Sequence, residues 1–126
     1  MVCGDVIEHL REPVEVLRRL PPLLRPKGTL VLSTPNVANW AIRLSLLIGR
    51  WRYTERGILD RTHVHLFTRT TLAEALEHAG YRVISFDFTV PVPVLRRNLV
   101  ERVAHAVGSL RPSLFAYQFV VSAQPT

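Results

Sequence analysis

Two short stretches hold side chains whose types and spacing suit chemistry. In "DVIEHLREP", Asp5, Glu8 and His9 stand at i, i+3 and i+4, the spacing that stacks residues on one face of a helix. Two carboxylates and an imidazole gathered this way make a hard-metal site or an acid/base cluster. The plainer alternative is a helix start, with Asp5 as cap and Glu8 completing a capping-box-like pair. That alternative explains His9 least well, because the positive end of a helix disfavours a cation. In "DRTHVHLF", His63 and His65 form an H-x-H pair. On extended backbone both rings would share a face and could chelate a metal. The competing arrangement turns one His inward onto Asp60 and leaves the other in water. No nucleophile–base–orienter triad is apparent.

The elements that must position these groups can be read from periodicity. "MVC" reads as the tail of a strand. Apolar residues at Val6, Leu10, Val14, Leu17 and Leu20 have helical spacing over Asp5 to Leu24, with Pro13 opening a second helical stretch and Pro21-Pro22 disturbing its end. "TLVLSTP", bounded by Gly28 and Pro35, reads as a buried strand. "NVANWAIRLSLLIGR" carries Asn start and Gly stop signals for a helix. "WRYTERGILDRTHVHLF" reads as a long connection, the kind that is often functional. "TRTTLAEALEHAG" is an amphipathic helix capped by Thr and ended by Gly80. A strand over "YRVISFDFTV", a helix over "VLRRNLVERVAHAVGSL" and a strand over "FAYQFVVSAQ" follow. Alternation of this kind argues for an α/β sheet, whose ligands sit outside the carboxyl ends of the strands. One such end holds Cys3, Gly4 and Asp5; the other holds Pro35 and Asn36.

Composition narrows the class. The 126 residues amount to about one domain, and 48% hydrophobic with 21% charged residues exclude a disordered chain. One cysteine, Cys3, excludes an internal disulfide and suits a reducing, cytoplasmic compartment. The most apolar tract, "AIRLSLLIG", is too short to span a bilayer and contains an Arg. The net charge of +6 comes from scattered Arg residues with no basic block or aromatic ladder, which disfavours nucleic acid as partner. Trp40, Trp51, Tyr53 and Phe67 flank the long connection, as walls of an apolar acceptor pocket or as core beneath a loop. Arg43, Arg50, Arg52 and Arg56 nearby suit an acidic acceptor or a solvated face. On the late helix, Arg96, Arg97 and Arg102 with Leu95, Leu99 and Val103 suit peripheral contact with a membrane or packing on the sheet. His78 and His105 read as helix-surface residues.

Several pieces in order give a resemblance. "CGDVIEHLREPVEVLRRLPPLLRPKGTLVLSTPN" followed by "GILDRTHVHLFTRTTLAEALEHAGYRV" resembles the C-terminal half of a class I S-adenosylmethionine-dependent methyltransferase. The resemblance implies an α/β fold: a partial Rossmann-like methyltransferase sheet, holding the end of strand 4 and strands 5 to 7, with flanking helices. It implies one partial domain over 1–126, with residues 37–69 as an acceptor-side helix and loop insertion. It implies S-adenosylmethionine as cofactor, near Cys3, Gly4 and Asp5. The family's Gly-rich turn and ribose-binding acid belong to its first half, and no G-x-G run occurs here. Cofactor binding is therefore expected to need that half.

The same resemblance implies a metal. In small-RNA 2′-O-methyltransferases and some ubiquinone-pathway O-methyltransferases, an acid-x-x-Glu-His motif with a later His is associated with a divalent ion. The matching positions are Asp5, Glu8, His9 and His63, as ligands of Mg²⁺ or Mn²⁺ and as catalytic residues; the small-RNA enzymes have Glu where this chain has Asp5. The expected activity is O-methylation of a small-molecule, sugar or lipid-linked acceptor. Two other readings compete. One is a non-catalytic remnant or interaction module that self-associates through an exposed sheet edge. The other is a basic nucleic-acid-binding module.

Overall fold

The computed structural model describes residues 1–90, 106 and 109–126. Four strands form one sheet in the order β1-β2-β4-β3: β1 (Val2–Gly4), β2 (Leu30–Pro35), β3 (Tyr81–Thr89) and β4 (Gln118–Pro125). β1 runs parallel to β2, with Val2 opposite Val31 and Gly4 opposite Ser33. β4 pairs antiparallel with both β2 and β3, and a bulge lies between Val83 and Ser85. Among the described residues, helices include α1 (Pro13–Arg18), α2 (Trp40–Leu47), α3 (Arg69–His78) and α4 (Pro112–Phe115). The expected open α/β sheet is present.

The core follows from two periodicities. Leu30, Leu32 and Thr34 alternate inward on β2, and Phe119, Val121 and Ala123 do the same on β4. On α3, Leu72, Ala75 and Leu76, with Ala79 at its C-cap, recur at helical spacing and join Leu17 of α1 in the same core cluster. Thr68 caps α3 through a reciprocal pair with Thr71, and Gly80 ends it in the left-handed conformation, φ 83°. The Tyr81 hydroxyl donates to the Leu17 carbonyl at 3.1 Å, which ties the start of β3 to α1.

Over residues 5–24 the structure keeps the expected helical start at Pro13 and the break at Pro21-Pro22, and corrects the first stretch, which is no α-helix. The whole segment is three short pieces: a 3-10 turn over Ile7–His9, then α1, then a 3-10 turn over Pro21–Leu23. Proline is the cause. Pro13 can only open a helix, and it pushes Glu12 out of the helical region to φ −126°, ψ 70°. Pro21 and Pro22 force a fresh start in the same way. The last strand begins at Gln118, because Phe115 belongs to α4. The expected late helix, with its Arg and Leu residues and His105, lies outside the described residues. Among the described residues, no helix is long and apolar enough to cross a membrane.

Candidate functional site

Glu8, His9 and His63 converge. One ligand-capable atom from each lies within 4.8 Å of the others. The sheet and the long connection each contribute. The 3-10 turn that follows β1 carries Glu8 and His9, and the connection brings His63 back to it. Two backbone bonds make the join: the amides of Val64 and His65 both donate to the Glu8 carbonyl, at 2.8 and 3.0 Å.

Glu8 is 1% exposed, and neither carboxylate oxygen has a hydrogen-bond partner. The buried Thr34 hydroxyl is likewise unpartnered. Burial pushes the Glu8 carboxyl above its ordinary range, and the charge of Asp5 adds to this. Its own amide, the nearby Thr34 hydroxyl and His63 pull the other way. An ionised, unpaired carboxylate at such a site is costly, so the position calls for a proton or a cation.

The two histidines have fixed tautomers. His9 Nδ1 lies 3.0 Å from the Thr62 carbonyl, and His63 Nδ1 lies 3.0 Å from the Ile58 carbonyl. A carbonyl oxygen only accepts, so each Nδ1 carries the proton. In the neutral form of either ring the lone pair therefore falls on Nε2, where it can take a proton or bind a metal. The rings meet edge-on, with centroids 4.9 Å apart. Asp60 supports this arrangement from behind: its Oδ1 accepts from the Thr62 amide at 2.8 Å and from the Thr62 hydroxyl at 2.7 Å. Those two bonds hold the Asp60 carboxyl below its ordinary range.

Three expectations need correction. Asp5 does not join Glu8 and His9 on a helix face. Its backbone is left-handed, φ 52°, and its Oδ1 accepts instead from Ser33 Oγ at 3.1 Å and from Gln118 Nε2. It caps nothing either, since the 3-10 turn begins at Val6 without a side-chain cap. The side chains brought together are thus Glu8, His9 and His63, without Asp5. His63 and His65 do not chelate together: His65 Nε2 donates to the Arg11 carbonyl and its ring stacks on Phe67. Nor does the His63 ring sit on Asp60.

The segment over residues 37–69 is built differently from the core. Asn39, not Asn36, caps α2, accepting from the Ala41 amide at 3.0 Å. Both Asn36 and Asn39 donate their side-chain amides to the Ala116 carbonyl at 2.9 Å. No residue of α2 is buried, and Trp40, Leu44, Leu46 and Leu47 are all at least half exposed. Trp51 and Tyr53 stack edge-on at the surface, whereas Phe67 is core. Arg43 donates to the Ala38 carbonyl, and Arg50, Arg52 and Arg56 are exposed.

Sequence reasoning did not reach Thr34, Ser33, Gln118, Thr62 or the Ile58 carbonyl. One signal was available: an Asp two residues before Thr is the spacing of an Asx turn, which fits Asp60 and Thr62.

Residues 1–86 match a family model described as "Methyltransferase domain". The chain belongs to the class I S-adenosylmethionine-dependent methyltransferase family. A ubiquinone biosynthesis O-methyltransferase of Aeromonas salmonicida is 33% identical over 85 residues, which are 66% of this chain and 35% of that protein. A SAM-dependent methyltransferase from Archaeoglobus fulgidus superposes with a TM-score of 0.56 at 17% identity, over 97% of this chain and 57% of that one. One from Mesorhizobium loti gives 0.55 at 17%, over 97% and 59%. These likenesses show the Rossmann-like methyltransferase fold. The chain spans about a third of the curated relative and somewhat over half of the solved structures.

Proposed function

We propose that this chain carries the acceptor-side portion of an O-methyltransferase, with Glu8, His9 and His63 handling the acceptor's hydroxyl proton. The observation that carries this is a buried carboxylate with no partner facing two imidazoles whose Nε2 lone pairs are free. The printed name of the Aeromonas relative, an O-methyltransferase, supports an oxygen acceptor. The exposed apolar face of α2 supports an apolar or lipid-linked one.

The donor set also fits a divalent ion. One carboxylate and two imidazoles suit Mn²⁺ better than Mg²⁺, which prefers oxygen alone. Glu8, His9 and His63 would hold it, and when bound it would lower the pKa of a coordinated hydroxyl. For S-adenosylmethionine, Cys3, Gly4 and Asp5 line the carboxyl end of β1. Asp5 Oδ2 has no partner among the described residues and suits an ammonium group. The cofactor, when bound, supplies an electrophilic methyl carbon on a sulfonium.

The chain's own work is positional and protolytic. With no ion held by the two rings, Nε2 of His9 or His63 would take the acceptor's proton as its O–H bond breaks, and the acceptor oxygen would bond the methyl carbon as the carbon–sulfur bond breaks, the pair staying on sulfur to leave a neutral thioether. Ionised Glu8 balances the imidazolium that forms. Proximity supplies most of the rate, so the clamp between the Glu8 carbonyl and residues 64–65 matters as much as the acid–base groups. The test is methyl transfer from labelled S-adenosylmethionine to a panel of phenolic and aliphatic hydroxyl acceptors by the protein as encoded. Transfer to oxygen, lowered a hundredfold or more in Glu8→Gln and His63→Ala, is expected. Transfer to nitrogen or carbon only, or full activity in both variants, would overturn the reading.

A further inference from the structure

The end of the sheet away from Asp5 and Glu8 carries a separate cavity. It holds about 630 Å³ and lies between the turn before β2 and the start of β3. β2 runs between the two places, a separation of roughly 15–20 Å at about 3.3 Å per residue. Pro21, Leu24 and Pro26 form an apolar side, while Arg25, Lys27 and Arg82 bring cations from two distant parts of the chain. No Asp or Glu lines it. Among the described residues, none of these three cations is in an ion pair.

The turn that presents two of them is held in place. The Gly28 amide donates to the Arg25 carbonyl at 2.7 Å, closing Arg25-Pro26-Lys27-Gly28 into a tight turn. Gln124, which also lines the cavity, donates to Thr29 Oγ1 at 3.2 Å and to the Lys27 carbonyl at 3.4 Å. Lys27 itself is left-handed, φ 59°, at the turn position where glycine carries no penalty. A charged side chain is thus kept at a strained position, beside a cavity that gathers two more like charges. Like charges with no acid among them repel one another until an anion joins them.

We propose that this cavity binds a small ligand carrying linked phosphate groups. Three cations match a diphosphate better than a single carboxylate, and each Arg fork can take two phosphate oxygens at once. The volume is that of a small-molecule site, and the Pro and Leu wall leaves room for an organic substituent. The site is independent of the methyl-transfer centre, at the opposite ends of the parallel strands.

The test is a titration of the protein as encoded with inorganic pyrophosphate at constant ionic strength, read by calorimetry and thermal shift. Saturable binding with one site per chain is expected. Arg25→Gln and Arg82→Gln should each weaken it tenfold or more. Lys27→Gly should weaken it similarly while raising the melting temperature, because it removes the charge and relieves the left-handed backbone together. Arg111→Gln, which removes one exposed charge away from the cavity, should leave it unchanged. Absence of saturable binding would overturn the proposal. So would equal weakening by Arg111→Gln, or single-stranded RNA displacing pyrophosphate at far lower phosphate concentration.

Discussion

His9 and His63, far apart in the chain, meet edge to edge with ring centroids 4.9 Å apart, and each points its Nδ1 at a backbone carbonyl. The two carbonyl contacts fix both tautomers before any ligand arrives. The pairing also separates His63 from His65, whose Nε2 is committed to Arg11.

A divalent ion should therefore stabilise the protein through His63 and not through His65. With Mn²⁺ at a hundredfold excess over its Kd, stability should rise by about 2.7 kcal/mol. Denaturant melts with and without Mn²⁺ check this. His9→Ala and His63→Ala should lose most of the gain, and His65→Ala should keep it. An unchanged wild-type midpoint would refute the metal assignment.

Without metal, Glu8 should make stability fall as pH rises. Its folded pKa lies above the unfolded one, so its favourable contribution is complete below the ordinary carboxylate range. That contribution is lost as pH climbs through the raised value. In chelator, Glu8→Gln should be more stable than wild type near neutral pH, and the difference should close on acidification. Urea midpoints measured from pH 4 to pH 8 would show it; parallel curves for the two proteins would not fit.

Asp60 should act on His9 through Thr62. Its lowered pKa gives the opposite sign: its contribution is present above the ordinary carboxylate range and lost as pH falls through the lowered value. Asp60→Ala should free the Thr62 carbonyl and let the His9 proton divide between Nδ1 and Nε2. Nitrogen chemical shifts of the ring report this directly, and a ring that stays protonated at Nδ1 would count against the link.

Asn36 and Asn39 share the Ala116 carbonyl, so each should be costly to truncate. Asn39→Ala removes a helix cap, a loss of about 1 kcal/mol. Asn36→Ala also strands buried backbone groups and should cost more, about 1–3 kcal/mol. Chemical denaturation orders the two, and a larger loss at Asn39 would reverse the assignment.

Much of the fold was legible because its signals are local. The alternation of Leu30, Leu32 and Thr34, the stripe of α3 and the Thr68 cap are each written within a few residues. The site was legible only in part. Glu8, His9 and His63 could be named as chemistry, yet the exclusion of Asp5 depends on one left-handed residue and on Ser33 and Gln118 reaching it from other strands. The parting of His63 from His65 depends on where the connection folds back, which no periodicity encodes. The breaks at Pro13 and Pro21-Pro22 were legible from the prolines; that Ile7–His9 makes only a 3-10 turn was not, because Val6, Leu10 and Val14 keep helical spacing across it.

The two-asparagine anchor of α2 has an evolutionary consequence. The helix is pinned at its base and none of its residues is buried. Its surface can therefore drift without loosening the sheet. Selection for a different acceptor would find here a place where new contacts can be tried while Leu30, Phe119 and Leu72 go on holding the protein together.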